Sequence, residues 1–234
     1  VRIALSALAG AALFVAMPAA AAPASGLSSD VIRTTLLLTM LAILPAILIS
    51  MTSFVRIVIS LSMVRHAFGM PETPPNAVLI SLALFLTAFS MGPTFTALNS
   101  QAIQPFLGGQ ITAEEAMAKC SVPLRTFMLA QTRDSDIEAI YAIAHTPVPA
   151  RPDQVEILKL APAFIMNELR VSFTIGFVIL LPFLLIDLVV SAILLSLGMM
   201  MVPPATISLP IKLLMFVLID GWSLVIQGVL GSFR

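Results

Sequence analysis

From Phe164 to Val202 the chain runs 39 residues that are almost entirely apolar. As a single helix this stretch would reach about 58 Å, nearly twice the ~30 Å hydrocarbon thickness of a bilayer. It must therefore bend or leave the apolar layer. Pro182 is the expected hinge, because its ring removes the hydrogen bond to the carbonyl of Val178 and crowds that turn. The rest of the chain has the same character. Apolar residues make up 59% of the 234, charged residues only 10%, and mean hydropathy is +1.06, against about 25% charge in an ordinary soluble domain. These values predict an all-α, membrane-associated protein built of helical hairpins. Twelve basic and twelve acidic residues cancel, leaving no polybasic surface to bind nucleic acid through its phosphates. A single cysteine, Cys120, excludes an intrachain disulfide framework.

Residues 1–21 read as a cleavable signal peptide: Arg2, an uncharged run from Ile3 to Met17, then Pro18 and the small residues Ala19 to Ala22. The alternative is an uncleaved first span, but 15 apolar residues fall short of the roughly 20 that crossing requires. Residues 22–98 form a first apolar hairpin. Thr34 to Val55 is free of charge for 22 residues and Thr73 to Ala113 for 41. Between these arms, Gly69, Pro71, Pro74 and Pro75 mark a turn. Export of the N-terminus places the Arg65 turn on the cytoplasmic side, in agreement with the positive-inside tendency. Residues 99–162 carry 12 of the 24 charges and form an extracytoplasmic helical section. Three helix starts are expected there, at Thr112 with Glu115, Ser135 with Glu138 and Asp153 with Glu156. Residues 163–234 form a second apolar hairpin with a methionine loop at its tip.

Seven ionisable residues fall on the apolar segments: Arg33, Arg56, Glu168, Arg170, Asp187, Lys212 and Asp220. Each is costly at membrane depth unless paired or facing water. With a tip at Val202 to Ala205, Asp187 and Asp220 lie about 16 residues, or ~25 Å, away. Lys212 is half as far, so a straight hairpin does not bring it to Asp187. Asp187 and Lys212 are therefore expected to pair between neighbouring chains. The alternative is a snorkelling lysine and an acid facing a water-filled cavity. Met199, Met200 and Met201 point 100° apart on a helix and share no face. Pro203 biases Val202 away from helix, which puts the methionines at a helix end, entering a loop. Core filling is the commoner role for such residues, and a compliant ring around an axis is the other. No HExxH, GxSxG or GxxxxGK occurs, and His66 and His145 do not suggest a metal site, so neither enzyme, metal nor cofactor is expected.

The run SFVRIVISLSMVRHAFGMPETPPNAVLISLALFLTAFSMGP, within Met51 to Pro93, resembles the FliP family of flagellar type III export-gate subunits. So do IGFVILLPFLLIDLVV and LGMMMVPPATISLPIKLLMFVLIDGW, within Pro162 to Phe233. Asn167 and Thr174 depart mildly from the family pattern. The resemblance implies a pentamer-like helical ring of copies of this chain, joined by FliR, surrounded by FliQ and associated with other export-apparatus membrane proteins. That ring sits at the bacterial inner membrane within the flagellar basal body, raised largely towards the periplasmic side, and passes unfolded flagellar subunits outward. By motif, Met199, Met200 and Met201 correspond to a gasket around the pore, and Glu168, Asp187 and Lys212 to polar contacts between subunits. Energy would come from the proton gradient and an associated ATPase, leaving this chain as conduit. Three rivals remain: an injectisome export-gate homologue, a secondary transporter using Asp187 and Lys212 as a coupling pair, and a structural scaffold.

Overall fold

The computed structural model describes residues 29–70 and 72–233, and among these the chain is helical with no strand. The signal-peptide reading of residues 1–21 lies outside the described residues. The chain divides into two compact units, the first ending at Pro45 and the second running from Ala46 onward. Helix α1 (Ser29–Ser50) begins in the first unit and ends in the second. In the first unit its described side chains from Val31 to Thr39 are all exposed.

The second unit is organised on one long helix. In chain order it contains α2 (Phe54–Phe68), α3 (Asn76–Ser90), α4 (Gly92–Leu98), a π-helical turn (Asn99–Ile103) and α5 (Gln104–Leu107). Then follow α6 (Ala113–Gln131), α7 (Asp134–Ile143), a 3-10 turn (Pro152–Gln154), α8 (Ile157–Ser196), α9 (Ala205–Leu218) and α10 (Gly221–Leu230). The expected span from Thr34 to Val55 is divided, since α1 stops at Ser50 and α2 begins at Phe54. The turn between the first hairpin's arms stands where its prolines and glycine put it, but its arms are α2 and α3. Gly69, at φ 75°, ends α2 and donates its N–H to the His66 carbonyl. That left-handed position suits a residue without a Cβ.

Pro182, the expected hinge, does not end its helix: α8 runs unbroken for 40 residues with Pro162 and Pro182 inside it. Phe183, the next residue, is held by edge-on ring contacts with Phe68 at 5.3 Å, and Phe68 meets Phe216 at 4.9 Å. Such aromatic pairs contribute about 1 kcal/mol each beyond their burial, helping to offset the ~3 kcal/mol penalty of an interior proline. Sharp bends fall at two helix junctions. The helices α3 and α4–α5 meet at 69°, and α9 and α10 at 67°. At the first bend Met91 is fully buried, its Sδ accepts from the Ser53 N–H at 3.4 Å, and Ser53 and Ser90 hydroxyls lie 2.7 Å apart. Among the described residues α8 alone is long and apolar enough to cross a membrane unaided, and each bent pair qualifies if counted as one span.

Two apolar clusters lie along α8. One joins the α2 stripe Ile57, Leu61, Val64 and Phe68 to Leu79, Phe183, Phe216 and Val229. The i, i+4, i+7 spacing of that stripe turns one face of α2 into the core. The other gathers Met128, Ile137, Tyr141, Leu160 and Phe164. It roots the charged section on the first turns of α8, so the expected boundary at residue 162 falls inside a continuous helix. Of the three expected helix starts, Thr112 and Glu115 form a reciprocal capping box. The helix α7 starts at Asp134, one residue before Ser135, and Asp153 sits in the 3-10 turn, with α8 beginning only after Glu156.

Close approach of α2 and α8 depends on Gly176. A Cβ built there would stand 2.5 Å from Met63 Cγ. Gly176→Val is expected to lower stability by about 1–3 kcal/mol through overpacking, and Met63→Ala in the same chain should recover part of it. Thermal unfolding of the two variants in mild detergent checks both expectations.

Candidate functional site

Two sets of buried polar groups in the second unit lie against α8. The first is centred on Arg56, from the first turn of α2, which is 1% exposed, and Glu168, which is fully buried. Arg56 Nε donates to Glu168 Oε2 at 2.8 Å and Nη2 donates to Glu168 Oε1, a two-pronged pairing. Nη2 also donates to Gln131 Oε1 at 3.3 Å. Nη1 donates to the Ser232 carbonyl at 2.9 Å and to its hydroxyl at 3.1 Å, and the Phe233 ring covers the guanidinium at 4.1 Å. Asn167 Nδ2 donates to the Gln131 carbonyl, and Ser172 donates to the Glu168 carbonyl one helical turn away. One guanidinium thus ties α2, α6, α8 and the residues after α10.

The second set lies towards the other end of α8. Lys212 Nζ donates to Asp187 Oδ2 at 2.6 Å and to the Ala67 carbonyl at 3.2 Å. The lysine side chain is 6% exposed and the aspartate 40%. This overturns the expectation that Asp187 and Lys212 cannot meet within one hairpin. The tip is wider than Val202 to Ala205: α8 ends at Ser196 and α9 begins at Ala205. Counted from those helix ends, Asp187 lies nine residues back and Lys212 seven residues in, so the two stand at nearly the same depth. Glu168 is likewise paired within its own chain, with Arg56, and completely covered in the single subunit.

A pairing the sequence reading missed joins Arg170 to Asp136 of α7. Its two bonds, from Nη1 to Oδ2 and Nη2 to Oδ1, measure 2.6 and 2.8 Å. Asp136 appeared as one of several surface charges, and only the fold of α7 onto α8 selects it. Arg33 and Asp220, also noted as costly charges, make no ion pair among the described residues.

The methionine run stands at the tip between α8 and α9. Gly198, at φ 71°, donates its N–H to the Leu195 carbonyl and Met199 N–H donates to that of Leu194. This paired closure ends a helix with a left-handed glycine. Met199, Met200 and Met201 follow at 44%, 81% and 94% exposure. Core filling is therefore not their role within the single chain. Among the described residues no group of histidine, cysteine, aspartate and glutamate is placed to hold a metal ion.

Removing one member of the buried pair leaves the other charged and desolvated. Glu168→Ala or Arg56→Ala is expected to cost about 3–5 kcal/mol, whereas the apolar double variant Arg56→Met with Glu168→Leu should lose much less. Melting curves of the purified variants distinguish these outcomes, and equal loss in single and double variants would count against a charge-specific effect.

A family model described as the FliP family matches residues 37–229. The chain is similar to the flagellar biosynthetic protein FliP of Pectobacterium carotovorum subsp. carotovorum, at 49% identity over 202 residues covering 86% of this chain and 78% of that relative. It is similar to that of Buchnera aphidicola subsp. Acyrthosiphon pisum (strain APS), at 48% over 203 residues, 87% of this chain and 54% of the other. Against that of Bacillus subtilis (strain 168) identity is 45% over 205 residues, 88% of this chain and 93% of the other.

Proposed function

The chain belongs to the FliP family, and from that premise we propose that it is a pore-forming subunit of the flagellar type III protein export gate. Several copies form a ring with FliQ and FliR at the bacterial inner membrane, part of it standing on the periplasmic side. Unfolded flagellar subunits pass through the centre. The observation that carries this reading is the exposure of Met199, Met200 and Met201 at the tip of a hairpin whose two helices are locked by the Asp187–Lys212 pair.

Three consecutive thioethers projecting from a loop are a poor use of apolar surface in an isolated chain. Gathered around an axis, the same loops from several copies bury one another. Thioether chains are unbranched and deformable, so the cluster closes by apolar contact and reshapes around an extended polypeptide of varied side chains. Lys212, hydrogen-bonded both to Asp187 and to the end of α2 at Ala67, fixes the height of the loop relative to the rest of the subunit. The exposed edge of Asp187 is then the polar contact it offers to a neighbouring copy. No bond is made or broken in this function; the subunit supplies a seal and a path, and the driving force enters from elsewhere in the apparatus.

Replacing Met199, Met200 and Met201 together by Ala is expected to raise small-ion leakage several-fold, because a seal of three apolar side chains per copy is lost. Assembly, read by native mass spectrometry with co-expressed FliQ and FliR, should persist. An unchanged leak in assembled gates would sink the gasket role. A chain that never assembles with copies of itself or those partners would sink the gate reading as a whole.

A further inference from the structure

Resting on the ring reading above, we infer that α1 of one copy docks into the apolar groove between α8 and α10 of the next, with Arg33 pairing to Asp220. The groove encloses about 390 Å³ and is lined by Val178, Phe183, Ile219, Leu224 and Gly228 among others. In the single chain it is open: Val178 is 60% and Leu224 54% exposed. Ile219 and Gly221, which flank Asp220, both line it, so the acid stands at its rim. Asp220 holds the left-handed backbone conformation, φ 52°, at the bend where α9 gives way to α10. An aspartate tolerates that conformation better than most residues.

The proposed occupant is a helix with apolar residues on all sides, Arg33 in its second turn and Asp30 one turn before it. Leu36, Leu37, Leu38 and Leu41 are each 60–64% exposed, a surface that a helix keeps only where lipid or another protein covers it. Lipid would cover the leucines but offer Asp220 no counter-charge and leave Arg33 only Asp30, one turn before it, each charge costly in an apolar setting. A second copy satisfies both. The register also fits. Arg33, Leu37 and Leu41 recur every four residues on one face of α1, as Asp220, Leu224 and Gly228 do along the groove. Nothing lies within 4 Å of a Cβ built at Gly228, which leaves room for Leu41 there and lets two helices approach closely. The α8 wall from Thr174 to Phe183 is about 14 Å long, and Arg33 to Leu41 covers about 12 Å.

Two differently tagged chains, both carrying Cys120→Ala, test this when co-expressed in membranes with FliQ and FliR, one with Leu37→Cys and the other with Leu224→Cys. Mild oxidation should yield the cross-linked pair of tags. Adding Arg33→Asp to the first chain should cut the yield at least about fivefold, and Asp220→Arg in the second should restore it. A single chain carrying both cysteines that closes only on itself would overturn the proposal in favour of a groove filled by its own helix. So would the absence of any cross-link in gates that native mass spectrometry shows to be assembled, and the ring reading would then stand without this contact. If no oligomer of the chain is found in any variant or in the parent, both readings fail together.

Discussion

Four parts of the second unit, α2, α6, α8 and the last residues, are arranged around an arginine and a glutamate that have both been taken out of water. Desolvating the two ions costs several kcal/mol each, and their attraction offsets this only where geometry and additional hydrogen bonds are good. Here the Arg56 guanidinium has a carboxylate on one edge, Gln131 and Ser232 on the others, and the Phe233 ring over its face. The partners come from positions 75, 112 and 176 residues away along the chain. A slip of any one of these elements would leave a buried charge exposed to apolar neighbours without compensation. The pair contributes more to fixing the relative positions of α2, α6, α8 and the last residues than to net stability.

The second constraint is the length of α8. A 40-residue helix carries both apolar clusters, one on its first turns and one across its middle, and so links the charged section to the methionine tip. The Arg170–Asp136 and Lys212–Asp187 pairs stand on the same helix, about 17 residues apart, or roughly 25 Å. Each ties a flanking helix, α7 or α9, to α8. The tip is thus held by a rigid strut, while the loop that carries the three thioethers is free of ion pairs and able to deform. A rigid frame with a soft edge is what a seal around a changing object requires.

Much of this was legible in the order of residues. The methionine loop followed from Pro203, which biases the residue before it away from helix. The Thr112 capping box followed from spacing alone, and the turn after Phe68 from its glycine and prolines. That α8 continues through Pro182 has a reason no local rule contains. Phe183 is clamped by two rings from α2 and α9, and such packing outweighs the proline's preference. Asp187 and Lys212 meet within one chain, against the depth argument, because α8 ends at Ser196 and not at Val202, which brings Asp187 to nine residues from the tip.

By itself, then, the sequence determined that the chain is helical, where its turns lie, that it carries more apolar surface than one subunit covers, and which ionisable residues need partners. These are properties of residue type and short-range spacing, and they survive without knowledge of the fold. Only the tertiary structure decided which charge meets which: Arg56 with Glu168, Arg170 with Asp136, Lys212 with Asp187, and none in the described residues with Arg33 or Asp220. The reason is that an ion pair depends on distances between elements far apart in the chain, and the depth of a residue is counted from the true end of its helix. A shift of a few residues in that end changes the depth by several ångströms, which is the whole difference between a pair made within one subunit and a pair left for its neighbour.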